Sequence, residues 1–527
     1  MKDAQGSRGS YRAGFFFGAL SFGATLCLGF VSTIVTARLY GIEIVGDYAL
    51  AIAPVSVLWV LSTVKEQQAL IKEITSLSPR DPRATQLFAA VFVFSTGLTL
   101  LVAGLIAIAC LFVFPGVLDQ PQLLAPALVS IAGYALVTNT GWNLDSVLSA
   151  FVAGRQLFRV RLNEAVSFIV LAVAFGLGAR SVWGLVAAAI GSSAIALVHR
   201  VWSVRAYLRP RLSRAEFRLG LEVLPALLRF GVKATPGQVA NGISQQGGIW
   251  AIGIVAPVNV VGAYSRALVI PKSVQQASMR ITEVLFPTLV DRHTSGDGHG
   301  FDRALVDSIR YEVIGMLLLA ATLGGTAHTV LGVFGPGFDK ATPALVLLLF
   351  FPVIASITIT QTQALWAVDR PGLTSVVAVL RLLVTLALLV ALTPTMNFVG
   401  PALALLAGMV VMAGWFGLAL RNHLSSPLRV TWPIRERFAL AAAYAAGFAV
   451  AHLVQASLPP LGLPLSLVAG AIGYLLVLWG GGGINSRDRK RLEQLREKLG
   501  PRLPRSPFGS TLSGEEIDRL EAARCRD

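Results

Sequence analysis

Long apolar runs separated by short polar stretches set the pattern of this chain. The runs lie near 14–37, 45–64, 85–113, 122–150, 161–178, 182–203, 230–255, 259–287, 306–334, 342–366, 372–393, 398–420, 437–456 and 463–483. As a helix, each run is long enough to cross about 30 Å of hydrocarbon. The pattern predicts an all-α polytopic membrane protein of about 14 transmembrane helices. Pro54, Pro236, Pro271 and Pro352 fall inside runs, where membrane helices tolerate proline and kink at it. The first run continues to Ala37 without a small-residue cleavage site, so it reads as a span rather than a signal peptide.

Composition sharpens this picture. Hydrophobic residues make up 54% of the 527 residues and charged residues only 14%, against roughly 25% charged in a soluble domain. The net charge of +16 would suggest nucleic acid in a soluble protein. In a membrane protein the positions of the cations matter instead, because cytoplasmic loops collect Lys and Arg. With the N-terminus in the cytoplasm, cytoplasmic segments hold 36 of the 44 Lys and Arg residues. Outer loops hold Arg38, Arg180 and Lys340, while Lys233, Arg266, Lys272, Arg280 and Arg381 lie inside spans. This asymmetry places both termini in the cytoplasm; the expected location is a bacterial inner membrane, with no nucleic-acid partner. The short outer loops leave no room for a folded outer domain. The tail, 484–527, is basic, and its Leu492, Leu495 and Leu499 repeat at helical spacing. That suits a solvated or interface-lying helix at anionic lipid. Cys27, Cys110 and Cys525 are far apart and form no disulfide or metal pattern, and no cofactor motif is visible.

An internal repeat organises the spans. Val-Gly-x-Tyr-x-x-Ala occurs in RLYGIEIVGDYALA (Arg38–Ala51) and again in IVAPVNVVGAYSRA (Ile254–Ala267), at an offset of 216 residues. SAFVAGRQ (Ser149–Gln156) and QALWAVDRP (Gln363–Pro371) recur at nearly the same offset. Six spans fit within it, so the halves share one orientation. The expected organisation is a cytoplasmic N-terminus (1–13), an N-lobe of six helices (14–204), an inter-lobe loop (205–229), a C-lobe of six helices (230–421), two extra helices (437–483) and the tail.

These stretches carry a family resemblance. RLYGIEIVGDYALA resembles the segment after the first helix of Wzx-type polysaccharide flippases. That family shares the multidrug/oligosaccharidyl-lipid/polysaccharide (MOP) exporter superfamily with MurJ lipid II flippases and MATE exporters. LLRFGVKATPGQVANGISQQGGIWAIGIVAPVNVVGAYSRA resembles the start of the family's second lobe. IPKSVQQASMRITEVLFPTLV, with its Phe286-Pro287 pair, resembles the eighth helix, and FGPGFDKATPALVLLL the turn into the tenth. The resemblance covers roughly residues 10–420. It implies a V-shaped, two-lobe transporter with a central cavity and alternating access. In the lipid II branch, basic residues of the first, second and eighth helices bind substrate, and residue matching carries over only Arg266. The first span has no basic residue before Arg38, which departs from the lipid II pattern.

Intramembrane polar residues are the functional candidates, because a charge in hydrocarbon is costly. On the eighth span Arg266, Lys272, Gln276, Arg280 and Glu283 share an arc of about 120° on a helical wheel, opposite an apolar face. This predicts a helix lining a water-filled cavity; the alternative is that Arg266 and Arg280 snorkel to opposite interfaces. The seventh span adds Lys233, which lines the cavity or snorkels, and Gln238, Asn241 and Gln245 on one face. Asn139 and Asn143 of the fourth span serve as interhelical glue or as sugar contacts. Arg381 and Glu164 occupy nearly corresponding places in the two halves and fit either a binding role or a structural ion pair. Glu283, Asp145 and Glu164 are the candidates for coupling to an ion or proton.

A basic cavity suits an anionic ligand, since Arg grips phosphate oxygens bidentately. The expected substrate is a polyprenyl-pyrophosphate-linked oligosaccharide, flipped for cell-surface polysaccharide synthesis alongside other polysaccharide-assembly membrane proteins. The alternatives are a lipid II flippase, a MATE-like exporter, which needs an acidic or aromatic cavity, and a polytopic glycosyltransferase, which needs reactive groups on a large outer loop.

Overall fold

The computed structural model describes residues 11–483 apart from 65, 76, 152, 210–213, 422–423, 425–432 and 459–461. The basic tail therefore lies outside the described residues. Among those described, every regular element is a helix. In chain order they are α1 (Tyr11–Leu61), α2 (Glu66–Ile74), α3 (Pro82–Gly116), α4 (Leu124–Gly133), α5 (Asn139–Ala150), α6 (Gly154–Gly178) and α7 (Val182–Val204). Then follow α8 (Arg214–Val255), α9 (Val258–Thr294), α10 (Gly298–Gly325), α11 (Ala327–Gly332), α12 (Thr342–Leu348), α13 (Phe350–Ala367), α14 (Pro371–Met396), α15 (Val399–Arg421), α16 (Ile434–Ser457) and α17 (Leu463–Gly480).

Ten helical segments are long and apolar enough to cross a membrane. The segment Cys27–Leu61 counts once among them, although α1 has two limbs. The helices α8, α9 and α10 are not among the ten, and they carry intramembrane charges. The expectation of fourteen spans therefore depends on the kink in α1 and on these three polar helices. Large apolar side chains such as Phe112, Leu177, Trp202 and Val390 stand exposed around the outside of the bundle, where a soluble protein would place charge.

The expected inter-lobe loop is largely helical. The chain enters α8 at Arg214, where the hydrophobic pattern alone marks no span before residue 230. At 1.5 Å per residue the 42 residues of α8 exceed any bilayer, so its first turns continue past the apolar zone. Beyond the other end of α9, Asp297 caps α10 by accepting from the Gly300 N–H at 2.8 Å. That bond, with Arg292 alongside, holds the Asp297 carboxyl below the usual carboxylate range.

The first outer loop becomes a kink at Gly41, whose backbone (φ 82°, ψ 172°) is one that only glycine adopts readily. The chain changes direction there. Thr36, before the kink, accepts a bond from Arg266, and Tyr48, after it, lines a cavity with Arg266. Arg38 Nε donates to the Val333 carbonyl at 2.7 Å and ties the kink to the end of α11.

Beside the kink the two copies of the repeat meet. Gly46 packs on the backbone of Val258, and Gly262 packs on the backbone of Ile42. Gly46 corresponds to Gly262 and Ile42 to Val258 at the offset of 216 residues, so the two contacts are reciprocal, as a two-fold axis requires. A side-chain carbon on either glycine would overlap the opposing carbonyl oxygen. The second repeat pair marks corresponding turns, one between α5 and α6 and one between α13 and α14.

Packing follows the halves. The helices α1 and α3–α7 pack on one another, and α8, α9, α13, α14 and α15 do likewise. Contact between the groups runs through α1 against α8 and α9 and through α3 against α8. The pair α16–α17 packs chiefly on α10, and Tyr444 of α16 also meets Phe350 of α13 at 5.1 Å between ring centroids. Arg310 of α10 holds Glu436 of α16 at 3.1 Å, and Tyr474 of α17 donates to the Ile314 carbonyl at 2.9 Å.

This crossing predicts a sharp size limit. Gly46→Val and Gly262→Val should each cost at least the ~1–3 kcal/mol typical of overpacking and lower the midpoint of thermal unfolding. Gly104→Val in α3, where nothing lies within 4 Å of an added carbon, should melt like the wild type. Unchanged midpoints for the first two would show that the halves do not meet there.

Candidate functional site

A cavity of about 140 Å³ lies between the second limb of α1, α8 and α9. Tyr48 and Ser56 reach it from α1, Gln246 from α8, and Ser265, Arg266 and Lys272 from α9. The α9 residues Ser265, Leu268, Val269 and Lys272 follow helical spacing, so one face of that helix forms the wall. Ile52, Ala53 and Ile249 complete an apolar remainder.

Two cations stand in this wall. Arg266 Nη2 reaches the Thr36 hydroxyl at 3.5 Å, a long contact, and its Nε meets no acceptor. Among the described residues neither Arg266 nor Lys272 pairs with a carboxylate. A guanidinium and an ammonium held in low dielectric without counter-charge make a strong local positive potential. An anion entering there would gain bidentate bonds from Arg266 and a mobile point charge from Lys272. Gln246, Ser56 and Tyr48 can donate neutral hydrogen bonds around it, while Ser265 already donates its hydroxyl to the Gly262 carbonyl at 2.8 Å. The volume suits a phosphate-sized group and falls short of the roughly 300–1,000 Å³ of drug-sized ligand pockets.

The other sequence candidates lie elsewhere. Gln238 and Gln245 are partly buried on α8 and do not line this cavity. Asn241 turns to α14, where its Oδ1 accepts from Arg381 Nη1. Arg381 itself is buried, and no carboxylate pairs with it among the described residues. Gln276 is exposed beyond the cavity. The side chains of Lys233, Arg280 and Glu283 lie outside those described. Asn139 and Asn143 are buried within the first half. Asn143 Nδ2 donates to Ser95 Oγ at 3.3 Å and to the Asn139 carbonyl at 3.0 Å. The Ser95 hydroxyl then donates to buried Glu66 at 3.1 Å, and the Val64 N–H donates to the same carboxylate at 2.8 Å. A π-helical turn, Tyr134–Thr138, precedes Asn139 and shifts the register of this helix.

Asp145 and Glu164 meet on Arg200, a residue that the charge count assigned to a cytoplasmic helix end. It is 2% exposed inside α7. Its Nε donates to Asp145 at 2.9 Å and its Nη2 to Glu164 at 2.7 Å. Ser193 donates to the other Glu164 oxygen at 3.3 Å. Two carboxylates face one guanidinium, so with both ionised the cluster carries one surplus negative charge. Arg310, which is not among the five cations the sequence places inside spans, is likewise buried, against Glu436. The signal that could have found Arg200 is its place inside the run 182–203. Gln246 was hidden by its neighbour Gln245, and Glu66 by its place in an expected loop.

Residues 22–311 match the model of a family described as polysaccharide biosynthesis protein. No curated protein matches the chain. Among solved structures, the chain is similar to the lipid II flippase MurJ in an inward closed conformation. The TM-score is 0.67 at 11% identity, covering 92% of this chain and 100% of that one. A multidrug resistance MATE family transporter of the MOP superfamily, inward-facing, gives 0.62 at 14% identity, covering 76% and 95%. A MOP superfamily transporter from Pyrococcus furiosus, noted for the reversed polarity of its binding pocket, gives 0.56 at 13%, covering 80% and 99%. At these identities the likeness is one of fold, and it bears out the expected MOP-type architecture.

The buried cluster on Arg200 predicts an asymmetric pattern of losses. Arg200→Met leaves two carboxylates without a counter-charge and should cost about 3–5 kcal/mol. Asp145→Asn should cost less, because Glu164 still neutralises the guanidinium. Arg205→Met, at an exposed position, should change little. Thermal unfolding of the purified variants checks the order, and equal midpoints for Arg200→Met and Arg205→Met would contradict it.

Proposed function

The chain belongs to the polysaccharide biosynthesis protein family, and from that premise we propose that it is a flippase. Its cargo is a polyprenyl-pyrophosphate-linked oligosaccharide, carried from the cytoplasmic to the outer leaflet of the inner membrane. One observation carries this reading: Arg266 and Lys272 face a cavity between the two halves without a carboxylate partner among the described residues. A lipid pyrophosphate brings the missing negative charge, and the cavity offsets its desolvation.

In this mechanism the cytoplasmic side opens first. The headgroup enters the cavity while the polyprenyl tail stays in the bilayer. Arg266 holds the phosphate oxygens, Lys272 follows as the charge moves, and Gln246, Ser56 and Ser265 meet sugar hydroxyls. The cavity of about 140 Å³ then belongs to a closed state, and a wider one admits the saccharide. Rocking of the halves releases the cargo outside. The surplus carboxylate at Asp145 and Glu164, or Glu283, takes up the driving ion or proton. Both termini lie in the cytoplasm, with the basic tail at anionic lipid. A MATE-like exporter of cations fits poorly, since two unpaired cations repel its cargo.

Reconstituted vesicles carrying a labelled polyprenyl-pyrophosphate oligosaccharide test the reading. The wild type should move label to the accessible leaflet. Arg266→Gln and Lys272→Gln should each lower the rate at least tenfold, with thermal unfolding unchanged. Full transport in the double variant, or transport of amphipathic cations alone, would refute the proposal. Transport of lipid II alone would refute the saccharide and keep the flippase.

A further inference from the structure

Two buried arginines pose the same electrostatic problem and receive different answers. Arg200, in the first half, has two carboxylates within 3.0 Å of its guanidinium. Arg381, in the second half, is 1% exposed. Its Nη1 donates to Asn241 Oδ1 and approaches the Met412 sulfur, a weak acceptor, at 3.9 Å. Its Nε and Nη2 meet no acceptor among the described residues. A buried charge is normally paired, and a neutral amide oxygen is a poor substitute for a counterion.

A second donor lies one turn along α14. Thr385 is fully buried, and its hydroxyl also lacks a partner. Thr99, Ser130, Ser244 and Thr322 each return their hydroxyl to the carbonyl four residues back. Thr385 does not, so its O–H remains available for another acceptor. Arg381 and Thr385 both contact Gly408 of α15, and an added carbon on Gly408 would collide with the Thr385 hydroxyl. Three helices thus converge here: α8 through Asn241, α14 through the two donors, and α15 through Gly408 and Met412.

We propose that the second half binds a single halide ion, chloride in the cell, at Arg381 and Thr385. The ion completes the guanidinium's hydrogen bonds and supplies the counter-charge that Asp145 and Glu164 supply to Arg200. Close packing at Gly408 selects a monatomic anion over phosphate or sulfate. The site is separate from the cavity at Arg266 and Lys272 and does not depend on what that cavity carries. Its role is to hold α8, α14 and α15 together.

The test uses the full-length purified protein in detergent. Its thermal unfolding is followed with chloride, bromide, sulfate or gluconate as sodium salts at matched ionic strength. Chloride and bromide should raise the midpoint by several degrees in a saturable way, and sulfate and gluconate should not. Thr385→Val should weaken the apparent halide affinity about tenfold, and Arg381→Gln should abolish the response. Arg266→Gln and Lys272→Gln should respond like the wild type, which separates this result from failure of the transport reading. Crystals grown in bromide should show anomalous density beside Arg381, a measurement that stands even where Arg381→Gln fails to fold. Equal midpoints in chloride and gluconate, an undiminished response in Thr385→Val, a sulfate effect matching chloride, or bromide only at Arg266 would overturn the proposal.

Discussion

The cost of placing charge in hydrocarbon constrains this molecule throughout. A bilayer offers no water to a buried guanidinium, so each cation among the spans must find an acceptor, an acid or an aqueous space. The first half meets this by closure: Arg200 is wrapped by Asp145, Glu164 and the helices that carry them. In the body of the second half and at its seam with the first, the cations are left open: Arg266 and Lys272 face a cavity, and Arg381 leans on a neutral amide. A repeat that duplicated backbone has therefore diverged in charge, and the divergence marks which half presents positive potential. Arg310, paired with Glu436 where α16 docks, belongs to neither pattern and acts as a clasp for the added helices.

Much of the architecture was legible because a membrane simplifies the code. Uninterrupted apolar runs report helices, and the Val-Gly-x-Tyr motif reports the repeat. The ends of the spans are where that code is ambiguous. By sequence, an arginine four residues inside a helix end reads as cytoplasmic, yet Arg200 is buried. The same preference for apolar runs hid the first turns of α8, whose polar residues read as a loop.

The site was legible in part for a related reason. The wheel of α9 separated Arg266 and Lys272 from Ile270, and the structure keeps that division: the cations reach the cavity and Ile270 is buried. A wheel describes one helix at a time. It cannot say which neighbour each face meets, so Asn241 was grouped with Gln238 and Gln245 although it turns to Arg381. Nor can it see a partner on a distant helix, which is why Asp145 and Glu164 read as separate candidates and not as one cluster.

The reciprocal seat of Gly46 and Gly262 has a kinetic consequence. Each glycine receives the backbone beside the other, so the two contacts lie at one crossing. A motion that parts the helices at this point breaks both in one event, and a motion that keeps them turns about the crossing as a fulcrum. The end of the protein near Gly41 therefore joins the two halves through a pair of backbone seats that sit side by side.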